Sequence, residues 1–224
     1  MNLLHKNATT PLPRIEEHKN TYLIKETKPA GGFGFCALKR LFDIVFALVF
    51  GIIMLPAMLV IALLIKLDSP GKVFYIQERV GKNGKSFKML KFRTMIANAE
   101  KGIPVWADTN DPRCTKLGRK LRSCRLDELP QMWNILLGHM SVVGPRPERQ
   151  CFYDEFEIYI HGFKHRLAVK PGLTGLAQVN GGYDLLPEEK IVYDMEYIKR
   201  RNLWLDIKII FKTIKVILKK EGVK

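Results

Sequence analysis

The sequence predicts an α/β protein, mostly α with short strands, that is associated with a membrane. Three observations point there: an unbroken apolar run from Ile44 to Ile65, short extended segments directly after it, and helical patterning through most of the remaining chain. With 224 residues there is room for one compact domain of ordinary size and an accessory element. The 37 Lys and Arg against 22 Asp and Glu leave a formal charge of +15, which favours nucleic acid, an acidic membrane surface or phosphorylated small molecules as partners.

Residues 1–35 carry scattered Pro, Gly, Lys and Glu without sustained apolar periodicity and read as a flexible arm that docks at most locally. Met1 to Gly34 holds no apolar core ahead of a small-residue cleavage site, so no cleavable signal is expected. The run Ile44 to Ile65, roughly twenty residues long, matches the hydrocarbon thickness of a bilayer. Pro56 near its middle removes a helical hydrogen bond and crowds the preceding turn, so a kink is expected. Lys39 and Arg40 precede the run, Lys66 follows it, and the chain beyond is basic. That bias points both ends to the cytoplasm and favours a hairpin that enters and leaves by one face, with a single kinked spanning helix as the alternative.

Residues 72–95 read as short extended segments around a Gly81 to Gly84 turn, with Phe74, Ile76, Phe87 and Met89 as apolar positions. Further on, Asp127 is placed to cap a helix from Glu128 to Leu137, Pro130 being acceptable in a first turn. Pro187 followed by Glu188 and Glu189 marks another helix start. The last segment sets Lys208, Lys212, Lys215 and Lys219 in one stripe beside an apolar face of Ile207, Ile210, Phe211, Ile214 and Leu218. Such a helix suits either an anionic membrane interface or a protein core with a solvated lysine row.

Chemistry concentrates in residues 125–149. Asp127 and Glu128 are adjacent carboxylates near a helix start, where backbone donors favour anions, and two carboxylates suit magnesium-assisted phosphate chemistry. The same pair taken alone reads equally as a cap. Arg146 stands between Pro145 and Pro147, which leave its backbone little freedom, and a guanidinium fork matches phosphate geometry; a solvated arginine on a rigid turn has the same pattern. Lys91, Arg93 and Arg79 are phosphate ligands or a solvated basic strand face. Gly172, Gly175, Gly181 and Gly182 mark close backbone turns, with Gln178 and Asn180 able to hydrogen-bond a base or sugar.

Other chemistries are excluded by spacing. No GxGxxG or GxxxxGK[ST] pattern occurs, the five histidines form no HExxH cluster, and Cys36, Cys114, Cys124 and Cys151 form no CxxC pair. Structural zinc is not expected, and the thiols are expected to be cytosolic and reduced.

Taken together, KRLFD (39–43), the proline-containing apolar stretch, KFRTM (91–95), PVWADTNDPR (104–113), LDELPQMWN (126–134), VGPRPER (143–149), KPGLTGLAQVNG (170–181) and LWLDIKIIFKT (203–213) resemble the bacterial sugar transferases known as monotopic phosphoglycosyl transferases. The likeness covers residues 36–224. It implies a re-entrant helix over 36–68, broken at Pro56, that holds a compact catalytic domain, 69–224, on the cytoplasmic face of the bacterial inner membrane. It also implies transfer of a sugar 1-phosphate from a UDP-sugar to polyprenyl (undecaprenyl) phosphate with release of UMP, the first step in capsule, exopolysaccharide or lipopolysaccharide assembly. Asp127 would be the nucleophile and the magnesium ligand (manganese being a substitute), Glu128 its partner, and Arg146 a phosphate ligand. Three positions depart from the usual pattern: Leu55 where Ser often precedes the proline, His139 in place of Asp, and Gln150 in place of Pro.

A membrane-tethered nucleic-acid-binding protein would explain the charge but not the DELP and PRP segments, so nucleic acid is not expected as a partner. A non-catalytic membrane scaffold is the third reading, which loss of turnover in Asp127→Asn would separate from the enzyme. The identity of the sugar and the oligomeric state stay open.

Overall fold

The structure, a computed structural model, describes residues 21–96, 99, 111–181 and 185–219. Residues 1–20 of the arm, residues 104–110 of the PVWADTNDPR segment, Gly182 and the last five residues lie outside the described part. Within the arm, Tyr22–Leu23 form a short strand, β1.

Helix α1 runs from Phe33–Asp68 and is long and apolar enough to cross a membrane. A break at Pro56 is expected from the sequence, whereas the helical run continues through that residue. The missing N–H removes one rung from a long ladder, and neighbouring Met54 and Met58 are held from the side by packing. Along α1, Lys39, Asp43, Ala47, Phe50, Met54, Met58, Ile61 and Ile65 recur at steps of three or four and line the face turned to the rest of the protein. The opposite face, with Leu41, Val45, Leu48, Ile52, Leu59 and Leu63, is exposed.

At its far end α1 is capped from outside. The Arg93 guanidinium donates to the carbonyls of Ile65 (3.2 Å), Ser69 (2.6 Å) and Pro70 (2.8 Å) and to the Ser69 hydroxyl (3.0 Å). The Ser69 and Pro70 carbonyls lie just past the helix end, and the Ile65 carbonyl, which also accepts from the Ser69 N–H at 3.4 Å, belongs to its last turn, where a forked cation satisfies acceptors well.

The next elements are β2 (Phe74–Val80) and β3 (Ser86–Phe92), an antiparallel hairpin in register from Phe74 opposite Phe92 to Val80 opposite Ser86. Asn83 (φ 57°) and Gly84 (φ 77°) take the left-handed conformations that turn it. Helix α2 (Lys116–Ser123) is capped by Thr115, whose side chain accepts from the Gly118 N–H. A 3-10 turn, Leu126–Glu128, leads into α3 (Gln131–Leu136). Asp127 therefore does not cap a helix; Pro130, lacking an N–H and preset near helical φ, starts α3.

Beyond it come β4 (Ser141–Val143), α4 (Gln150–Tyr159), β5 (Ile160–His161), a 3-10 segment Phe163–Ala168, β6 (Gly172–Thr174), α5 (Leu176–Val179), α6 (Pro187–Arg200) and α7 (Leu203–Lys219). Strands β4 and β6 pair in parallel, as do β1 and β5, so the described strands form three separate pairs. A Cβ at Gly172 would collide with the Gly144 amide, which is why β6 lies so close to the chain after β4. Helix α6 opens at Pro187 as expected, with the Glu189 carboxylate accepting from the Leu186 N–H at 2.8 Å. Helix α7 seats Asp206 and Ile209 in the core, while Phe211, Ile214 and Leu218 stand exposed alongside Lys208, Lys212, Lys215 and Lys219.

Polar groups join α1 to this body. Lys39 Nζ lies 2.6 Å from Asp206 and 4.0 Å from Asp43. Asp43 accepts from the Ser141 hydroxyl and the Val142 N–H, both at 2.9 Å. Tyr197 donates to Asp206 at 2.8 Å and lies 3.0 Å from the Val143 carbonyl. Removing the cation strands two buried carboxylates, so Lys39→Met is expected to destabilise by about 3–5 kcal/mol in thermal or denaturant unfolding, and Lys39→Met with Asp206→Leu to recover much of that loss.

Candidate active site

Three chain segments converge on the paired carboxylates. In β3 the buried Phe87 and Met89 face inward, and strand alternation sends Lys91 to the same side. The register of β3 is held from α3, where the buried Asn134 accepts from the Leu90 N–H (2.9 Å) and donates to the Lys88 carbonyl (2.7 Å). The second segment is the 3-10 turn: Arg125 adopts a left-handed conformation (φ 55°), turning the chain after α2 so that Asp127 and Glu128 both point inward, only 7% and 6% exposed. The third is the turn after β4, which carries Arg146.

Glu128 is the hub. Its Oε1 lies 2.5 Å from Arg146 and 3.3 Å from Lys91. Burial opposes charge on this carboxyl, but Arg146 and Lys91, with Arg125 behind them, outweigh it and hold Glu128 well below the ordinary carboxylate range. Asp127 is in the opposite condition. It makes no hydrogen bond or ion pair among the described residues, and burial, then the neighbouring Glu128 charge, push its carboxyl up despite Lys91, Arg122 and Arg146. The two acids thus have different electrostatic roles: one is neutralised by cations, the other is more basic and uncommitted.

Of the expected site residues, Asp127, Glu128, Lys91 and Arg146 come together. The others make their contacts outside this cluster, Gln178 with its side-chain amide nitrogen alone among the described residues. Arg93 caps α1, and Arg79 donates to the Pro147 carbonyl and to Glu148 (3.1 Å each) and to Gln77. On α5, packed against α6 and α7, Gln178 donates to the Leu173 carbonyl and Asn180 to that of Leu176. Arg122 and Arg125 join the site's field unforeseen; their signal lay in a basic run immediately before the dyad, where neither charge stands out from its neighbours.

For a metal, the described residues hold no cluster of three His, Cys, Asp or Glu ligands. Magnesium commonly takes one or two protein carboxylates and fills its remaining positions with substrate phosphate oxygens and water. The uncommitted Asp127 carboxylate fits that pattern as a single ligand.

The raised Asp127 value fixes a sign. A carboxyl lifted above its unfolded value does not oppose folding in acid and does so increasingly as pH rises through its folded value. Asp127→Asn is therefore expected to melt higher than the parent protein at pH 7.5, with the gap closing towards pH 4, a comparison that thermal unfolding at the two pH values measures.

Residues 35–220 match the family model for bacterial sugar transferases. Among curated relatives, a UDP-N-acetylgalactosamine-undecaprenyl-phosphate N-acetylgalactosaminephosphotransferase of Aeromonas hydrophila is 45% identical over 184 residues, 81% of this chain and 44% of that protein. A UDP-glucose:undecaprenyl-phosphate glucose-1-phosphate transferase of Escherichia coli (strain K12) is 44% identical over 182 residues, 79% of this chain and 39% of that protein. The chain thus spans about two fifths of the length of these two relatives. By contrast, the exopolysaccharide production protein ExoY of Rhizobium meliloti is 40% identical over 213 residues and is covered over 90% of its length, with 87% of this chain. A match of this extent, in the family model and in a relative of nearly equal length, is membership: the chain belongs to the bacterial sugar transferase family.

Proposed function

We propose that this protein transfers a sugar 1-phosphate from a UDP-sugar to polyprenyl phosphate and releases UMP. The observation that carries the reading is the uncommitted, buried Asp127 beside a Glu128 held by Lys91 and Arg146. The named activities of the relatives support the same substrate classes.

In the first step a carboxylate oxygen of Asp127 attacks the β-phosphorus, forming an acyl phosphate bond. The bond from that phosphorus to the bridging oxygen breaks, and UMP leaves with the electron pair. In the second, an oxygen of the polyprenyl phosphate attacks the same phosphorus, freeing Asp127 and leaving a polyprenyl diphosphosugar. Burial raises the basicity of Asp127, while Arg146 and Lys91 offset the repulsion between an anionic nucleophile and an anionic diphosphate. Glu128, kept ionised by Arg146 and Lys91, holds those two cations in place. Bound magnesium, or manganese in its place, would supply further charge neutralisation of the diphosphate, with Asp127 as its protein ligand.

The same proposal places the chain on the cytoplasmic face of the bacterial inner membrane with α1 re-entrant. Contacts from Lys39 to Ile65 cover about 39 Å of helix at 1.5 Å per residue, and all of them are made with one body. A helix crossing the bilayer would carry one of its ends away from a domain that stays on one side. The exposed Trp204, Phe211, Ile214 and Leu218 of α7, interleaved with its lysines, suit the lipid interface. Such a protein would initiate surface glycan assembly.

Cysteine labelling in intact cells should find position 38 and the region after Lys66 on the same side; accessibility of position 38 alone from outside would leave a spanning helix. With UDP-sugar, magnesium and no polyprenyl phosphate, purified protein should release about one UMP per active site and then stall. Asp127→Asn should give no burst and no sugar-phosphate mass gain; an adduct mapped to Glu128 would reverse the assignment. Chelation should abolish turnover, and Arg146→Lys should fail to restore it fully, because a point charge lacks the planar two-donor fork.

A further inference from the structure

The turn that carries Arg146 is held in an unusual way. Four consecutive carbonyls are each taken by a donor: that of Pro145 by the Gly172 N–H (2.9 Å), Arg146 by the Arg166 guanidinium (3.0 Å), Pro147 by Arg79 (3.1 Å) and Glu148 by the Val80 N–H (3.0 Å). Prolines at 145 and 147 remove two backbone donors, so carbonyls are the main handles by which this turn can be gripped.

Arg166 is the grip directly on Arg146, and it is built in at depth. It is 3% exposed, lies 2.6 Å from the equally buried Asp194 of α6, and stacks over the Phe163 ring at 5.0 Å and the Tyr153 ring at 5.8 Å. A buried ion pair is seldom a more stable choice than apolar side chains of the same volume. What this pair supplies is a donor at one defined point, the Arg146 carbonyl.

We propose that Arg166, backed by Asp194, is a positioning residue for Arg146, setting where that guanidinium meets Glu128 and the substrate phosphate. Its catalytic consequence rests on the transfer reading above; its effect on the Arg146–Glu128 contact does not. Arg79 holds the next carbonyl from β2 and has the same kind of role.

The test uses the full chain in lipid nanodiscs, with Arg166→Lys and Asp194→Asn as mild replacements, each alone and combined with Arg146→Lys. In UMP release, each single replacement should lower kcat roughly 10- to 100-fold with KM little changed, as expected when a reacting geometry is displaced. Added to Arg146→Lys, neither should cause further loss; losses that multiply would overturn the proposal. A second measurement needs no substrate: the stability coupling between Glu128→Gln and Arg146→Lys, from thermal unfolding, should fall to roughly half or less in the Arg166→Lys background. Unchanged coupling would overturn the positioning role even in a fully active enzyme. If the parent protein releases no UMP from any UDP-sugar, the transfer reading falls, and the coupling alone decides for or against positioning.

Discussion

The Lys39 ammonium, enclosed between Asp206 and Asp43, is the interaction on which the rest of the structure depends. A cation on a long apolar helix has every electrostatic reason to stay in water, and burying it is tolerable only because two carboxylates and their own hydrogen-bond partners are already in place. Those partners reach β4 through Ser141 and Val142, and α6 through Tyr197. The helix, the strand leading to the Arg146 turn and the last two helices are consequently one unit.

The same physics recurs at the dyad with the signs exchanged. Here carboxylates are buried and cations are brought to them from β3 and from the turn after β4. What differs is the completeness of the pairing. Glu128 has two close cations, whereas Asp127 has charges in its surroundings and no direct partner among the described residues. An incompletely paired acid in a low-dielectric setting destabilises the fold, and such a residue persists where its reactivity is used.

Much of this was legible in the sequence, for reasons that differ by residue. Asp127 and Glu128 stand out by their adjacency and Arg146 by its flanking prolines, both local patterns, whereas Lys91 stands among basic strand residues for which a phosphate or a solvated role is equally open. The contacts of Arg93 and Arg79 are harder to read from sequence, because many of their acceptors are backbone carbonyls, at 65, 69 and 70 for one and at 147 for the other, and an acceptor of that kind leaves no mark in composition. Arg166 and Asp194 lie on separate elements, and either alone resembles an ordinary surface charge. Pro56 is legible as a missing hydrogen bond, while the packing of its neighbours Met54 and Met58 against the second apolar cluster is a long-range contact that the sequence does not display. For α7 the sequence shows an apolar stripe of Ile207, Ile210, Phe211, Ile214 and Leu218, yet the buried face is led by Asp206 and Ile209 while Phe211, Ile214 and Leu218 stand exposed.

The second apolar cluster joins Ile61 and Ile65 of α1 to Phe92, which follows Lys91, and to Leu129, which follows Glu128. The apolar helix and the paired carboxylates therefore share a floor, and neither can be raised or lowered without the other. With α1 held in lipid, as proposed above, this floor becomes a built-in depth gauge that sets the carboxylates at one fixed height above the helix. A phosphate presented at that level is met by a rigid surface with no tether to reel in, while one buried deeper or displayed farther out is out of reach. On the transfer reading proposed above, selection among lipid-borne substrates would operate through the vertical address of the phosphate, before any contact with the chain that bears it.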